Sequence, residues 1–370
     1  MIEAAPFGRV AVVHDWLTGM RGGEAVLEAI LDALPGAELF TLFHFPGSVS
    51  AKIEARTIHT SSLQRVATRI DDYRKLLPLF PSAIRQFDLR EFDLVVSSSH
   101  CVAKGVRALG KPHLCYCHTP MRYIWDRFDD YFPRSKPFVR AAASTVAPWL
   151  RRWDVRTVGE VTRFVANSEF VRSRIEHYYG RDAELVHPFV DRAFLDAELR
   201  APRDDYHLVV SALVPYKHIE LAIEAARVAK RKLVVIGGGP LLDPLRRSSP
   251  ETEFLGRVDR EVIVDRLRRA RSLILPGIED FGITPLEAMA LGTPVVALGA
   301  GGVLDSVVDG ETGVLFHEPT AASLALALEG VEGRPWDRDA LRRHAAGFAR
   351  EEFDRKFAAA LAATVRGEGT

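Results

Sequence analysis

Cysteine is scarce in this chain: Cys101, Cys115 and Cys117 are the only three among 370 residues. An odd count excludes a framework in which every thiol is paired. The Cys115-Tyr116-Cys117 spacing suits neither a zinc site nor a redox pair, so buried thiols in a reducing cytosol are expected. Net charge is also missing, because 49 basic side chains cancel 49 acidic ones. A global polyanion binder is thereby disfavoured, and no nucleic-acid partner is expected. No apolar run reaches the roughly 18 residues of a membrane span, and Glu3 with no long apolar stretch before Arg9 does not suit a secretory leader. A cytoplasmic protein is the expectation. Periodic repeats and low-complexity tracts are likewise absent from the sequence.

What is present is the composition of a folded protein, 47% hydrophobic and 26% charged, on a chain too long for one ordinary core. Arg9-Val10-Ala11-Val12-Val13-His14 reads as a strand, followed by a glycine-bearing loop over 19–23 and a helical pattern over 24–34. Further strands are expected at 93–97, 113–118 and 164–168, the last leading into a helix near Glu169. After a polar stretch the alternation repeats, with strands at 207–213, 232–236, 272–275, 294–297 and 313–316 and helical segments between them. Two helical patterns close the chain. Alternation of this kind predicts an α/β fold of two doubly wound, Rossmann-like domains with ligand at the carboxyl ends of the sheets. The expected boundaries are 1–186, a linker over 187–205, a second domain over 206–346 and a C-terminal helix over 347–370.

The segment Glu279-Asp280-Phe281-Gly282-Ile283-Thr284-Pro285-Leu286-Glu287 carries the chemistry. Leu273-Ile274-Leu275-Pro276 is a short apolar run ended by proline, and Pro285 suits a first helical turn, so the order is strand, loop, helix. Glu279 then lies in the loop and Glu287 on the helix. Unpaired N–H groups near Phe281, Gly282 and Ile283 favour a diphosphate, and a helix-borne carboxylate can accept two hydrogen bonds from a ribose diol.

Together with His14-Asp15-Trp16-Leu17-Thr18, Arg21-Gly22-Gly23-Glu24, Ser97-Ser98-Ser99-His100, Tyr116-Cys117-His118-Thr119-Pro120-Met121-Arg122-Tyr123 and Ala166-Asn167-Ser168, this segment makes the chain resemble retaining glycosyltransferases of family 4. Those enzymes have the GT-B fold, and the likeness is nearest to bacterial mannosyltransferases of O-antigen and exopolysaccharide synthesis. The resemblance implies that the second domain binds a nucleoside diphosphate sugar, with Glu287 on the ribose and Glu279 on the donor sugar. Phe281, Gly282 and Ile283 would offer backbone N–H groups, and Arg257 and Val258 would lie where the nucleobase meets backbone. Lys217 would neutralise the leaving diphosphate. In the first domain Gly22 and Gly23 would approach the diphosphate and His118 would face the donor sugar. Arg122 and Asp126 are candidate acceptor contacts, or else an internal ion pair. By the same resemblance the C-terminal helix returns to the first domain.

One position departs from the family's pattern. Where an arginine usually precedes the leaving-group lysine, the run here is Ser211-Ala212-Leu213-Val214-Pro215-Tyr216-Lys217. Loss of one preorganised donor costs about 3 kcal/mol of transition-state stabilisation. Arg21 and His218 are the candidates to replace it.

The implied reaction is transfer of a hexose, mannose from GDP-mannose in the first instance, to a hydroxyl of a glycan or polyprenyl-linked acceptor, with retention and without a metal or other cofactor. Competing readings are a UDP-sugar-dependent transferase with a soluble acceptor, a weakly active or noncatalytic nucleotide-sugar-binding protein, and an epimerase of the same fold. Between Phe132 and Trp153 the cations Arg134, Lys136, Arg140, Arg151 and Arg152 interleave with Phe138, Val139, Trp149 and Leu150 without an acid. That stretch reads either as a solvated basic helix or as a surface that meets an anionic inner membrane.

Overall fold

The computed structural model describes residues 7–67, 69, 73–199 and 201–367. They fall into two compact units, Met1–His187 with Asp354–Thr370, and Pro188–Phe353.

The first unit is built on seven parallel strands, β1 (Val10–His14), β2 (Glu38–Thr41), β3 (Ile58–Thr60), β4 (Leu94–Ser99), β5 (His113–Cys117), β6 (Arg163–Ala166) and β7 (Glu184–Leu185), in the order β3-β2-β1-β4-β5-β6-β7. Every residue of β1, β4 and β5 is buried, which is why β1 and the Leu94-Val95-Val96 half of β4 read as continuous apolar runs rather than alternating ones. The order reverses between β1 and β4, and a crevice opens outside the carboxyl ends of two such strands. Helix Gly22–Ala33 follows β1 and buries Val26, Leu27, Ile30 and Leu31 along one face. The three cysteines are buried free thiols.

Helix Pro137–Arg156 begins with proline in its first turn and buries only Ala147, Leu150 and Asp154. Asp154 closes a buried ion pair with Lys104 at 3.0 Å. Trp125 Nε1 and Tyr179 Oη donate to its other oxygen at 2.8 and 3.0 Å, and Lys104 Nζ donates to the Asp154 carbonyl at 2.6 Å. A charge pair taken out of water in this way needs its remaining lone pairs and protons satisfied; these partners do so for Lys104 Nζ and Asp154 Oδ2, whereas Asp154 Oδ1 faces the ammonium without a hydrogen bond among the described residues.

The second unit carries six parallel strands, β8 (His207–Val210), β9 (Leu233–Ile236), β10 (Glu253–Gly256), β11 (Leu273–Leu275), β12 (Val295–Leu298) and β13 (Gly313–Phe316), in the order β10-β9-β8-β11-β12-β13. Its switch point lies between β8 and β11. Within the 187–205 stretch expected as a linker, Val190 and Phe194 are buried in this unit's core, and Asp191 caps the short helix Arg192–Leu195. The first strand stops at Val210, short of the expected Leu213, because the backbone beyond it turns under a glycine run. A Cβ on Gly237 would lie 1.8 Å from the Ser211 carbonyl oxygen, and one on Gly239 2.4 Å from that of Leu213. Among the described residues no helix is long and apolar enough to cross a membrane.

Candidate active site

At the carboxyl edge of the second sheet, β11 leads through a loop into helix Thr284–Ala290, with Pro285 in its first turn. The loop is shaped by backbone rather than side chains. Gly282 has φ +85°, a conformation that glycine adopts without a Cβ penalty. Gly302 N donates to the Glu279 carbonyl at 2.9 Å, and a Cβ on Gly302 would lie 2.0 Å from the Asp280 oxygen. Phe281 is buried in the core, so its side chain anchors the loop, while Ile283 caps the helix.

Lys217 ends the turn Pro215–Lys217 that follows β8, and its Nζ donates directly to Glu279 Oε1. Gly277 permits that approach, since a Cβ there would come within 2.9 Å of the Tyr216 oxygen. The Glu287 carboxyl differs from that of Glu279 in having no hydrogen-bond partner among the described residues. Burial lifts its carboxyl to about 7, against the pull of Arg260 and with a push from Asp191. Those two are themselves paired at 2.7 Å.

Val258 packs against the core, whereas Arg257 is exposed. The Arg257 Nε lies 2.9 Å from where a Cβ on Gly238 would be, and the Gly238 carbonyl accepts from Leu213 N at 3.0 Å. Arg257 is therefore next to the loop that carries exposed Ala212, a neighbour that strand-by-strand reading did not assign to that loop. His218, one of the residues considered for the missing charge, sits at φ 52° with Nδ1 3.7 Å from Glu220 of its own helix.

At the carboxyl edge of the first sheet three histidines surround Ser98. His14 ends β1 opposite Ser98 of β4, and His118 follows β5. Ser98 Oγ is 3.0 Å from His14 Nδ1 and 2.8 Å from His118 Nε2. His100 completes the group, its ring centroid 5.8 Å from that of His14 and 6.3 Å from that of His118. Burial drives His118 well below its ordinary range, with His100, His14 and Arg122 adding to the effect, so its imidazole is neutral. Burial likewise takes His100 down to about 3.

Gly22 and Gly23 open the helix beside this cluster, and a Cβ on Gly23 would lie 3.8 Å from His118 Cε1. Asp15 is a structural carboxylate: it accepts from the backbone N–H groups of His100, Cys101, Val102 and Ala103 at 2.6 to 2.9 Å and so fixes the turn after β4. Of the two acceptor candidates, Asp126 is ion-paired, with Arg174 at 2.6 Å rather than with Arg122. Among the described residues no group of three His, Cys, Asp or Glu is placed to hold a metal ion. His14 and Ser98 stand in separate motifs of the sequence, and the pairing of β1 with β4 and of β4 with β5 brings them together with His118.

The two units match two known sequence families in turn. Residues 20–194 match Glycosyltransferase Family 4, and residues 191–347 match Glycosyl transferases group 1. The two matches are consecutive and together span residues 20–347, each to a glycosyltransferase family model, and the fold is that of GT-B glycosyltransferases. A D-inositol 3-phosphate glycosyltransferase of Nocardia farcinica is 32% identical over 230 residues, covering 52% of this chain and 50% of that protein. A GDP-mannose-dependent alpha-(1-6)-phosphatidylinositol monomannoside mannosyltransferase of Mycolicibacterium smegmatis is 30% identical over 234 residues, covering 51% of this chain and 61% of that one. The matched stretch thus spans about half the length of such relatives. The fold is shared over nearly the whole chain with Anabaena HepE crystallised with UDP, at a TM-score of 0.70, 15% identity and coverage of 96% and 100%.

Proposed function

We propose that this protein transfers a hexose from a nucleoside diphosphate sugar to a hydroxyl, with retention and without a metal. The observation that carries the reading is the union of Lys217 with Glu279 beside the loop that leads to Glu287. Glu279 holds the lysine ammonium in place, and the ammonium meets the charge that develops on the departing diphosphate. Glu287, whose carboxyl has no hydrogen-bond partner among the described residues, accepts from the ribose hydroxyls, and the Phe281, Gly282 and Ile283 backbone approaches the sugar and phosphates. Arg257 and Val258 border the nucleobase. In the other unit Gly22 and Gly23 approach the diphosphate, His118 meets the donor sugar and Arg122 contacts the acceptor, while Asp126 is ion-paired with Arg174.

GDP-mannose is the preferred donor, supported by the mannosyltransferase relative, and the acceptor is a glycan or polyprenyl-linked hydroxyl in cell-surface polysaccharide synthesis. Heat protection by GDP, UDP and ADP tests the donor class. Protection by GDP alone, followed by α-configured product from GDP-mannose, is the expected result. Protection by UDP alone would replace the donor assignment.

We further propose that the protein works at the cytoplasmic face of an anionic membrane through helix Pro137–Arg156. Phe138 is 90% exposed and Trp149 48% exposed, and with Thr145 and Arg152 they follow one helical stripe. Arg140 and Arg151 do not contribute freely, since Arg140 pairs with Asp129 at 2.6 Å and Arg151 Nε donates to the Ile124 carbonyl at 2.6 Å. Arg134, Lys136 and Arg152 are the exposed cations of the patch.

A further inference from the structure

A single guanidinium closes the loop that follows His118 and carries Arg122. Helix Glu169–Tyr179 comes after β6, with Ser168 Oγ accepting from Val171 N at its start, and Phe170, Arg174 and Tyr178 stand four residues apart on one face of it. The Arg174 side chain is only 7% exposed. Its Cζ lies over the Phe170 ring at 5.6 Å and over the Tyr178 ring at 5.8 Å, so the planar group rests between two aromatic neighbours of its own helix. Tyr178 in turn stacks on Trp125, with ring centroids 4.6 Å apart. From this seat the fork reaches both ends of one loop. Arg174 Nη1 donates to Thr119 Oγ1, and Nη2 donates to Asp126 Oδ1 at 2.6 Å. The Thr119 hydroxyl gives its own proton to the Pro120 carbonyl at 3.1 Å, which leaves a lone pair for the guanidinium. A guanidinium has no acceptor and stays protonated in proteins, so each of these bonds has one direction.

The start of the loop is held a second time, since Asn167 Nδ2 donates to the His118 carbonyl at 3.0 Å. Between the two ends Met121 and Ile124 are buried in the first unit's core. Apolar burial is non-directional, so it resists withdrawal of the loop without fixing its orientation. The bonds from Arg174 supply the direction. We infer that Arg174 is a positioning residue: by bonding Thr119 and Asp126 at once, it holds the 119–126 loop in the geometry that presents His118 and Arg122. The positive charge of Arg122 works against protonation of both His118 and His100, which places that guanidinium beside the histidine cluster. Arg174 itself is too buried to meet a substrate. The inference rests on the reading of His118 and Arg122 as the groups that meet the donor sugar and the acceptor.

The test has one arm without ligand and one with it. In the first, hydrogen–deuterium exchange of the free full-length protein is followed by mass spectrometry in peptides covering 119–127, where Ile124 N is bonded to the Met121 carbonyl and Arg127 N to that of Arg122, with peptides over 169–179, β4 and β5 as reference. Arg174→Met keeps the stem between the two rings and removes the donors. It should speed exchange over 119–127 by about tenfold to a hundredfold, the factor carried by a hydrogen bond to a charged group, and leave the reference peptides unchanged. Asp126→Ala should do the same, and the double variant should exchange no faster than the faster single one. Arg174→Lys keeps the charge but not the fork, so it should stay nearer to Arg174→Met than to wild type. Wild-type exchange over 119–127 in Arg174→Met would overturn the inference, and so would a rise shared equally by 169–179, because Arg174 would then hold only its own helix. Should Arg174→Met fail to fold, Asp126→Ala, which leaves that helix intact, decides. In the second arm Arg174→Met should lower turnover by about tenfold or more, as displacement of a reacting group does, while heat protection by GDP and by UDP matches wild type, since neither carries a sugar for His118 to meet. Unchanged turnover with the loop loosened, or lost turnover together with lost nucleotide protection, would overturn the positioning role. A wild-type protein without transferase turnover would defeat the reading of the site instead, and the exchange arm alone would then decide whether Arg174 braces the loop.

Discussion

Lys217 and Glu279 are in direct contact although they are 62 positions apart in sequence and come from different strand–loop connections. Their side chains are 15% and 20% exposed, so the pair is sheltered enough for its charges to be felt without being sealed from a ligand. If the pair acts as one device, removing either member disables it. Lys217→Ala and Glu279→Ala should each lower turnover by roughly a hundredfold or more, and the double variant should lose far less than the product of the two. Single-turnover rates at saturating donor, with melting curves to verify folding, measure this. Independent, multiplicative losses would show that the two residues work separately.

Glu287 should make nucleotide binding depend on pH. Its carboxyl is raised from 4.5 to about 7 in the folded chain. Between those values the folded state binds more protons than the unfolded state, so Glu287 makes stability fall as pH rises through that window. In Glu287→Gln that part of the fall should disappear, leaving the variant relatively more stable at pH 8 than at pH 5. The size is on the order of 1–3 kcal/mol before solvent screening. The ionised carboxylate is also the better acceptor for a ribose diol. Affinity for a ribonucleoside diphosphate should therefore rise from pH 6 to pH 8, and affinity for its 2′-deoxy analogue should rise much less. Calorimetric titration of both ligands at three pH values decides the matter.

The Glu279–Glu287 segment was legible because proline and glycine punctuate it: strand, loop and helix lie where Pro276, Gly282 and Pro285 imply. The same physics hid other parts. Strand β2 reads Glu-Leu-Phe-Thr and β10 reads Glu-Phe-Leu-Gly, so each holds only two consecutive apolar residues within its bounds. The His14–Ser98–His118 group was hidden for a different reason. Each residue is visible in its own motif, but their meeting depends on β1 lying beside β4 and β4 beside β5, and strand order is a property of the whole sheet.

Lys104 and Asp154 should matter to stability rather than to chemistry. Their side chains are 1% and 0% exposed, and Asp154 also holds Trp125 and Tyr179. Truncating one partner leaves the other charge buried without compensation, which costs about 3–5 kcal/mol. Asp154→Ala should therefore lower the urea midpoint of the first unit sharply, whereas Lys104→Met, which retains much of the packing volume, should do less harm when Asp154→Asn accompanies it. A double variant no more stable than Lys104→Met alone would count against a charge-based origin.

Vesicle binding should follow the exposed stripe of helix Pro137–Arg156. Phe138→Ser with Trp149→Ser should weaken binding to vesicles containing phosphatidylglycerol by about tenfold or more, since two aromatic side chains leave the interface. Each exposed cation contributes about 1 kcal/mol near such a surface, so salt should weaken the wild type as well. Flotation of the wild type that does not depend on anionic lipid would remove the electrostatic part of the proposal.

Ala212 offers the last test, because it asks whether the chain replaces the arginine its family pattern leads one to expect. Arg257 leans on Gly238, whose carbonyl is bonded to Leu213, so its guanidinium belongs to the same patch of the second unit as Ala212. His218 is engaged with Glu220 at 3.7 Å and is a poorer candidate. If Arg257 supplies the cation, Arg257→Ala should lower turnover by roughly a hundredfold, in keeping with loss of one preorganised donor, and Ala212→Arg in that background should recover most of it. In the wild-type background Ala212→Arg should then change little. A large gain from Ala212→Arg alone, with Arg257→Ala neutral, would instead mean that the missing charge is not replaced by Arg257 and that the enzyme runs below the rate its site can support.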